Sequence, residues 1–171
     1  MNILIIGHPG SGKTYLADKL SKKSGIKKID IDSLFDKHPF YALSKRLYTK
    51  ALDKLLAGKE SWIIDGYHAG FMPDELWKSA DKVIYLDIPK EELKRNVRNR
   101  YKEKRQNKEF SHWQSTYVNN LKNYGQIKFQ DRKLKADTVR IKALLPSEAE
   151  FTELKTRNEI EQFVSQFSDE A

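Results

Sequence analysis

The chain reads GHPGSGKT at residues 7–14, and this is its most informative stretch. It matches in full a phosphate-binding loop, in which glycine, four variable residues, glycine and lysine precede serine or threonine. The apolar residues 3–6 before the loop predict a buried parallel strand, and the residues from Tyr15 onward predict a helix. A strand, a glycine-rich loop and a helix in this order predict a nucleotide-phosphate site at the start of the helix.

Each part of this loop has an expected role in binding a polyphosphate. The glycines let the backbone turn with its N–H groups pointing inward, and the helix start adds a positive dipole end. We expect Lys13 to contact the β- and γ-phosphates and the Thr14 hydroxyl to bind Mg²⁺. The predicted cofactors are therefore ATP and Mg²⁺. The residues expected to hold ATP are Gly7, His8, Pro9, Gly10, Ser11, Gly12, Lys13 and Thr14.

The composition indicates one compact domain over residues 1–171. Hydrophobic residues make up 39% and charged residues 33%, and no apolar run approaches the length of a membrane span. The first strand begins too early to leave room for a signal peptide. The chain has no cysteine, which excludes disulfides, thiolate catalysis and zinc–thiolate sites. We expect a cytoplasmic domain without a membrane partner, and its oligomeric state stays open.

The net charge of +8 is concentrated in one segment. Residues 90–108 contain nine Lys or Arg against three Glu. Such a segment attracts nucleic acid, neutralises a small phosphorylated ligand, or forms a solvated helix face. Beside a phosphate loop, we expect phosphate neutralisation first.

Strand-like and helical segments alternate along the chain, which predicts a parallel sheet covered by helices on both faces. The strand signals lie at residues 2–6, 28–31, 61–65, 82–87 and 150–154. Between residues 101 and 137 the pattern predicts two helices joined through residues 123–126, after a mobile basic connection. Residues 158–167 predict a closing amphipathic helix with Asn158 as its N-cap.

Acidic residues follow two of the predicted strands, where ligands bind in sheets of this kind. Asp32 lies just beyond the second strand and is a candidate to take a proton from an acceptor hydroxyl, or to hold Mg²⁺ through water; alternatively it caps a helix near Ser33. Asp65 ends an apolar strand before Gly66, as in the carboxylate motif that orients the water shell of Mg²⁺, although an ordinary turn also uses Asp-Gly. We expect Asp65, Gly66, Tyr67 and His68 to contact the acceptor together with Asp32.

The basic segment supplies candidates to stabilise the transferred phosphoryl group. Arg95, Arg98 and Arg100 lie on the helix predicted after Pro89, at spacings that place two guanidinium groups on one face. The sequence does not show which of them reaches the γ-phosphate. Arg105 and Arg157 are further candidates for ATP binding.

Taken together, these residues resemble the small phosphate-loop (P-loop) kinases of the adenylate kinase and shikimate kinase type. The chain is more closely similar to the bacterial family called DNA topology modulation proteins. The resemblance is carried by IIGHPGSGKT at 5–14, IDIDSLF at 29–35, WIIDGYH at 62–68, ADKVIYLDIP at 80–89, the basic segment and TRNEIEQFV at 156–164. It implies an α/β P-loop NTPase fold with a five-stranded parallel sheet flanked by helices. It also implies a helical acceptor-binding insertion at about residues 33–60 and an arginine lid and helical segment at about 95–137.

The chain departs from this pattern at three informative places. Nucleoside monophosphate kinases usually follow Asp-Gly with Phe-Pro-Arg, whose arginine grips the acceptor phosphate, whereas this chain has Tyr67, His68 and Ala69. These kinases also carry an arginine in the acceptor helix, where this chain has Asp36, Lys37 and His38. The related proteins tend to have an arginine at the place of Asn96. A hydroxyl acceptor also suits Asp32 better than a phosphate does, because a hydroxyl must lose a proton.

The resulting hypothesis is an ATP- and Mg²⁺-dependent kinase that phosphorylates a hydroxyl. The acceptor is a nucleoside-like molecule or a nucleic acid, at a 5′ end or a hydroxylated base. Three alternatives stay open: a nucleotide-dependent DNA-binding protein without kinase activity, a nucleoside monophosphate kinase, and a metal-dependent hydrolase.

Overall fold

A computed structural model of the chain describes residues 1–31, 44–67, 71–106, 113–129 and 131–167. Within these ranges one five-stranded sheet has the order β2-β3-β1-β4-β5, and every pairing is parallel. The strands are β1 (Asn2–Gly7), β2 (Lys28–Asp30), β3 (Trp62–Asp65), β4 (Lys82–Leu86) and β5 (Glu150–Leu154). The predicted fold class and the predicted strands are confirmed, with ends that differ by at most one residue.

Helices cover both faces of this sheet. They are α1 (Lys13–Ser24), α2 (Lys45–Leu56), α3 (Asp74–Lys78), α4 (Lys90–Gln106), α5 (Trp113–Phe129), α6 (Asp131–Leu144) and α7 (Arg157–Gln166). Successive residues of β1 point to opposite faces, so Leu4 packs with α2, α3 and α6 while Ile5 packs with α1, α4, α5 and α7. Among these helices none is long and apolar enough to cross a membrane, as far as the described ranges extend.

The strand register brings the predicted site residues to one edge of the sheet. Asp65 at the end of β3 pairs with Ile5 of β1 on one side and with Asp30 of β2 on the other. Gly7 pairs with Leu86 at the end of β4. The phosphate loop therefore leaves the centre of the sheet, between the carboxyl ends of β3 and β4.

Two sequence expectations about helices are wrong. The segment 123–126 does not join two helices, because α5 runs through it without a break; Ile127 is buried and the Tyr124 hydroxyl donates to the carbonyl of Lys94 on α4 at 3.1 Å. Tertiary packing thus outweighs the low helix propensity of Gly125. The basic residues before it belong to α4 through Gln106, not to a mobile connection.

The N-cap of α7 is Thr156, not Asn158. The Thr156 hydroxyl accepts from the backbone N–H of Glu159 at 3.1 Å, and the Glu159 carboxylate accepts from the backbone N–H of Lys155 at 2.6 Å. Threonine followed three residues later by glutamate is the sequence pattern of a capping box. The capping box therefore starts the helix two residues earlier than the apolar periodicity indicates.

Candidate functional site

The phosphate loop has the backbone conformation that its glycines predict. The φ angles of Gly7, Gly10 and Gly12 are 153°, 83° and 97°, a region that side chains other than glycine rarely adopt. Gly12 is also the N-cap of α1, so the loop passes directly into the helix. The backbone N–H of Ser11 donates to the carbonyl of His8 at 3.1 Å, which closes the loop around the helix start. This geometry suits an anion at the N-terminus of α1.

Two polar side chains of the loop segment line the cavity in front of it. The Lys13 ammonium group donates to the His8 carbonyl at 3.1 Å and lines the cavity in front of the loop. Thr14 is exposed and lines the same cavity. The Ser11 hydroxyl is buried and has no hydrogen-bond partner among the residues the structure describes. A buried polar atom without a partner is costly unless a ligand or water pairs with it.

A cavity of about 360 Å³ lies between this loop and the helices α4 and α5. Besides the loop, its lining comprises Tyr67, Val97, Arg100, Tyr101, Lys104, Asn119, Asn120, Lys122, Asn123 and Gln126. Its cations come from three elements, with Lys13 on the loop side, Arg100 and Lys104 on α4, and Lys122 on α5. The side chains that line it include no carboxylate within the described part of the chain. The cavity therefore attracts anions.

The predicted arginines do not all reach this cavity. Arg100 lines it, as does Lys104. Arg95 is 66% exposed and pairs instead with Glu92 one turn earlier, at 3.5 Å. Arg98 and Arg105 are exposed and are not among the lining residues. On one helix, the direction of each side chain thus selects Arg100 from the four candidates on α4.

The first half of α4 is packed tightly against the phosphate loop. The Asn96 amide donates to the carbonyl of Gly10 at 2.9 Å. A Cβ atom placed on Gly10 would lie 2.9 Å from the carbonyl oxygen of Leu93 and 3.0 Å from a methyl group of Val97. The resemblance leads us to expect an arginine at the position of Asn96. Here the Asn96 amide holds the loop to the helix, a contact that the sequence analysis missed because it depends on how α4 docks.

Asp65 lies at the edge of the sheet from which the phosphate loop leaves. It is only 3% exposed, at the end of β3 beside β1. The backbone N–H of the next residue, Gly66, donates to the carbonyl of Ile5 at 3.4 Å, and its φ of 131° favours glycine. Asp32 and His68, the other acceptor candidates, lie outside the described residues.

Tyr67 forms the wall of the cavity next to Asp65. Its hydroxyl donates to a carboxylate oxygen of Asp137 on α6, and its ring lies 6.4 Å from that of Trp77. Burial, followed by the hydrogen bond to Asp137, raises the pKa of Tyr67 well above its usual value. The hydroxyl therefore stays protonated at physiological pH and acts as a donor, not as a base.

Arg157 lies at the start of α7, beside α1. Its guanidinium group is 4.1 Å from the centre of the Tyr15 ring, and its Nε donates to Glu161 at 2.7 Å. The hydrogen bond from Arg157, followed by that from the Tyr15 hydroxyl, lowers the pKa of Glu161. A Cβ atom on Gly12 would lie 3.9 Å from Ile160, so α7 also reaches the loop. Arg157 thus lies beside the first turn of α1 and does not line the cavity.

A protein-family model described as AAA domain matches residues 3–115 of this chain. The chain belongs to the AAA domain family. The match covers the phosphate loop, β2 to β4, the whole of α4 and the beginning of α5, and so includes the loop side of the cavity. The residues of α5 that line the cavity, at positions 119–126, all lie beyond it.

Within sequence comparisons, this AAA domain is similar to adenylate kinase from Ureaplasma parvum serovar 3, with 26% identity over 125 residues. Adenylate kinase from Ureaplasma urealyticum serovar 10 matches to the same extent. The alignment covers 59% of this chain and 59% of each relative. The chain therefore spans less than two thirds of the length of these curated relatives.

Solved structures show the same fold over nearly the whole length. Shikimate kinase from Bacteroides thetaiotaomicron has a TM-score of 0.59 at 19% identity, covering 97% of this chain and 95% of its own. Deoxyadenosine kinase from M. mycoides with bound dATP has a TM-score of 0.55 at 13% identity, covering 97% and 98%. All of these proteins are kinases, which agrees with the prediction of a P-loop phosphotransferase.

Proposed function

We propose that this protein is a kinase that uses ATP and Mg²⁺ to phosphorylate a hydroxyl group. The observation that supports this most is the loop itself, which sits at the centre of the sheet and faces a cavity lined by Lys13, Arg100 and Lys104. Phosphoryl transfer requires positive charge around the transferred group and an acceptor held in line, and little covalent chemistry from the protein. The cavity supplies that charge from two sides.

Thr14 and Asp65 would hold Mg²⁺ in this proposal. The described residues include no group of three or more His, Cys, Asp or Glu side chains suited to a metal. Mg²⁺ in such enzymes is held by one or two side chains together with phosphates and water, so a hydroxyl and one buried carboxylate fit it. When bound, the metal would neutralise the negative charge that develops during phosphoryl transfer. The Thr14 hydroxyl and the Asp65 carboxylate would orient it.

The proposed acceptor is a hydroxyl on a nucleoside-like molecule or on a nucleic acid, with Asp32 as the general base. Tyr67 supports a neutral acceptor group, because the position after Gly66 holds an uncharged phenol whose proton is donated to Asp137, whereas an acceptor phosphate would require a cation there. From the resemblance, we also propose that the chain belongs to the DNA topology modulation family. We propose further that residues 1–171 form a single domain, with the acceptor-binding insertion at about 33–60 and the lid at about 95–137.

Nucleoside monophosphate phosphorylation is the second candidate, favoured by the similarity to adenylate kinase. Arg100, Lys104 and Lys122 give the cavity cations with which a second phosphate could pair. Against it stands the absence of the arginine that usually follows the Asp-Gly pair.

An acceptor panel with γ-labelled ATP tests the proposal. It includes nucleosides, nucleoside monophosphates and oligonucleotides with ordinary or hydroxylated bases, each with Mg²⁺ and with excess EDTA. We expect label in a nucleoside or oligonucleotide, abolished by EDTA. Label only in monophosphates would establish the second candidate, and ATP binding without transfer to any acceptor would favour a nucleotide-dependent binding protein.

Asp32→Asn tests the general base. We expect turnover to fall by about 10²–10⁴-fold while ATP affinity changes little, because a lost base affects only the proton transfer. Asp30→Asn is the matched control, since Asp30 lies two residues earlier on β2. A parallel loss of ATP affinity would assign Asp32 to the metal or to the structure.

Salt dependence tests a nucleic-acid acceptor. If α4 tracks a phosphate backbone, the logarithm of oligonucleotide affinity falls linearly with log salt, by about 0.7 for each single-strand phosphate neutralised. Replacing Lys102, Lys104 and Arg105 by Ser then reduces this slope by up to about two units. Weak binding at every salt concentration would exclude a nucleic-acid acceptor.

A further inference from the structure

Side-chain amides occupy one face of α5 opposite the phosphate loop. These are Asn119, Asn120, Asn123 and Gln126, which line the cavity of about 360 Å³. Their spacing of one, three and three residues places them along one stripe of a helix. Four neutral amides in eight residues are an unusual wall for an anion-binding cavity, because none of them carries a charge to offer a phosphate. Their chemistry suits a different part of the ligand.

The position of this amide face points to the acceptor and not to ATP. Gln126 lines a second pocket together with Tyr67, Gly7 and Lys133, on the β3 side of the loop. Arg157 and Ile160 of α7, in contrast, lie beside Tyr15 and Gly12 at the start of α1, and no residue of α7 in the described part of the chain lines either pocket. The amide face and Tyr67 therefore border a space in front of the loop that the α7 contacts do not share.

Packing fixes the amide face in place. The Tyr124 hydroxyl donates to the carbonyl of Lys94 at 3.1 Å, and Ile127 is fully buried in the core shared with α1 and α4. Both residues lie between or beside the amides on α5, so the helix cannot rotate without breaking these contacts. The amides are therefore presented to the cavity by a helix that Tyr124 and Ile127 hold in place.

We propose that the amide face of α5 binds the heterocyclic base of the acceptor, as part of a free nucleoside or of a nucleic-acid chain. This deepens the proposed function and rests on it. A primary amide offers donors and an acceptor within one plane, which matches the paired donor and acceptor edge of a nucleobase. A carboxylate acceptor would instead be recognised by a guanidinium or ammonium group, and among the described side chains of α5 that line the cavity Lys122 alone carries one.

Single and double alanine variants at Asn120 and Asn123 test this assignment in the full chain. Alanine is a better helix former than asparagine, so α5 is retained. The acceptors are deoxyadenosine, deoxycytidine, thymidine, a single-stranded oligonucleotide, and shikimate as a carboxylate-bearing polyol. Each variant is measured for kcat/KM with acceptor and for KM with ATP. Val118→Thr is the matched control, because Val118 is 59% exposed on the same helix and lies outside the cavity lining.

We expect each single variant to lower kcat/KM for the best nucleoside or oligonucleotide about 10- to 100-fold, because a hydrogen-bonding edge loses its partner. The KM for ATP of each alanine variant should stay within about twofold of the parent, since neither change removes a contact to ATP. In Val118→Thr, both kcat/KM for the acceptor and KM for ATP should stay within the same range. The free nucleosides and the oligonucleotide distinguish the two sources of the base.

Three results would overturn the inference while leaving a kinase: unchanged kcat/KM for the base-bearing acceptor, a parallel rise in KM for ATP, or preferred transfer to shikimate that is lost in Lys122→Gln. Transfer to no acceptor at all, with ATP still bound, would instead contradict the proposed function. The two failures are therefore distinguishable.

Discussion

The two walls of the phosphate cavity are built from different materials. The loop wall consists of backbone, with three glycines at positive φ and an atom-to-atom fit against α4 at Gly10. The helical wall consists of side chains on α4 and α5, several of them exposed to solvent. Backbone geometry admits few substitutions, whereas side chains on a helix can be exchanged without altering the fold. The backbone wall, which is proposed to bind the phosphates of ATP, thus tolerates few substitutions. The side-chain wall, which is proposed to select the acceptor, tolerates more.

The largest expected effect is on the loop wall, from Lys13→Ala. Turnover should fall by at least about 10²–10³-fold, because a preorganised charge next to the phosphates is lost. The thermal unfolding midpoint should not change, since Lys13 contributes to the site and not to the core. Labelled-ATP transfer and a melting curve measure both. Lys22→Ala, an exposed lysine in the last turn of α1, is the control. Parent-level turnover in Lys13→Ala would refute the site.

Arg100→Gln gives the next largest effect, on the helical wall. Its guanidinium group lines the cavity, so we expect kcat to fall by about 10- to 100-fold. Arg95→Gln is the matched comparison, because Arg95 lies on the same helix and pairs with Glu92. We expect it to change kcat less than about twofold, since surface ion pairs contribute little. Equal losses in the two variants would mean that α4 turns or shifts when ATP binds.

Gly10→Ala tests the fit between the walls. The new Cβ would lie 2.9 Å from the Leu93 carbonyl at a φ of +83°. We expect the free energy of unfolding to fall by about 1–3 kcal/mol, measured by urea denaturation. Gly125→Ala on α5 is the control, with nothing within 4 Å of its Cβ, and should raise stability by about 0.5–1 kcal/mol. A neutral Gly10→Ala would show that the contact is loose.

The smallest expected effect is that of Asn96→Ala, which removes the hydrogen bond to Gly10. We expect a loss of about 0.5–1.5 kcal/mol in urea denaturation, together with weaker ATP binding because the loop is less constrained. Asn99→Ala is the matched control, an exposed asparagine on the same helix. If both variants behave alike, the Asn96 amide does not hold the loop.

The sequence predicted the fold and the loop wall because both depend on local signals. Apolar strand runs, the glycine spacing and the acid at the end of β3 are properties of short segments. It did not predict the helical wall, because the docking of α5 on α4 is set by Tyr124 and Ile127 through contacts between distant elements. The break predicted at residues 123–126 failed for the same reason, because buried Ile127 sustains the helix. The N-cap predicted at Asn158 failed for a different one, since it rested on the apolar periodicity and not on the local capping box of Thr156 and Glu159.

The contacts of α7 with the loop have a consequence for synthesis and folding. The Tyr15 hydroxyl donates to Glu161, a residue 146 positions further along the chain. Contacts of such long sequence separation form late, because the intervening chain must first be made and closed into a loop. A nascent chain that has the phosphate loop but not yet α7 lacks this support beside Gly12. We therefore expect affinity for nucleotide to be acquired only once α7 has left the ribosome, so that an incomplete chain does not sequester ATP.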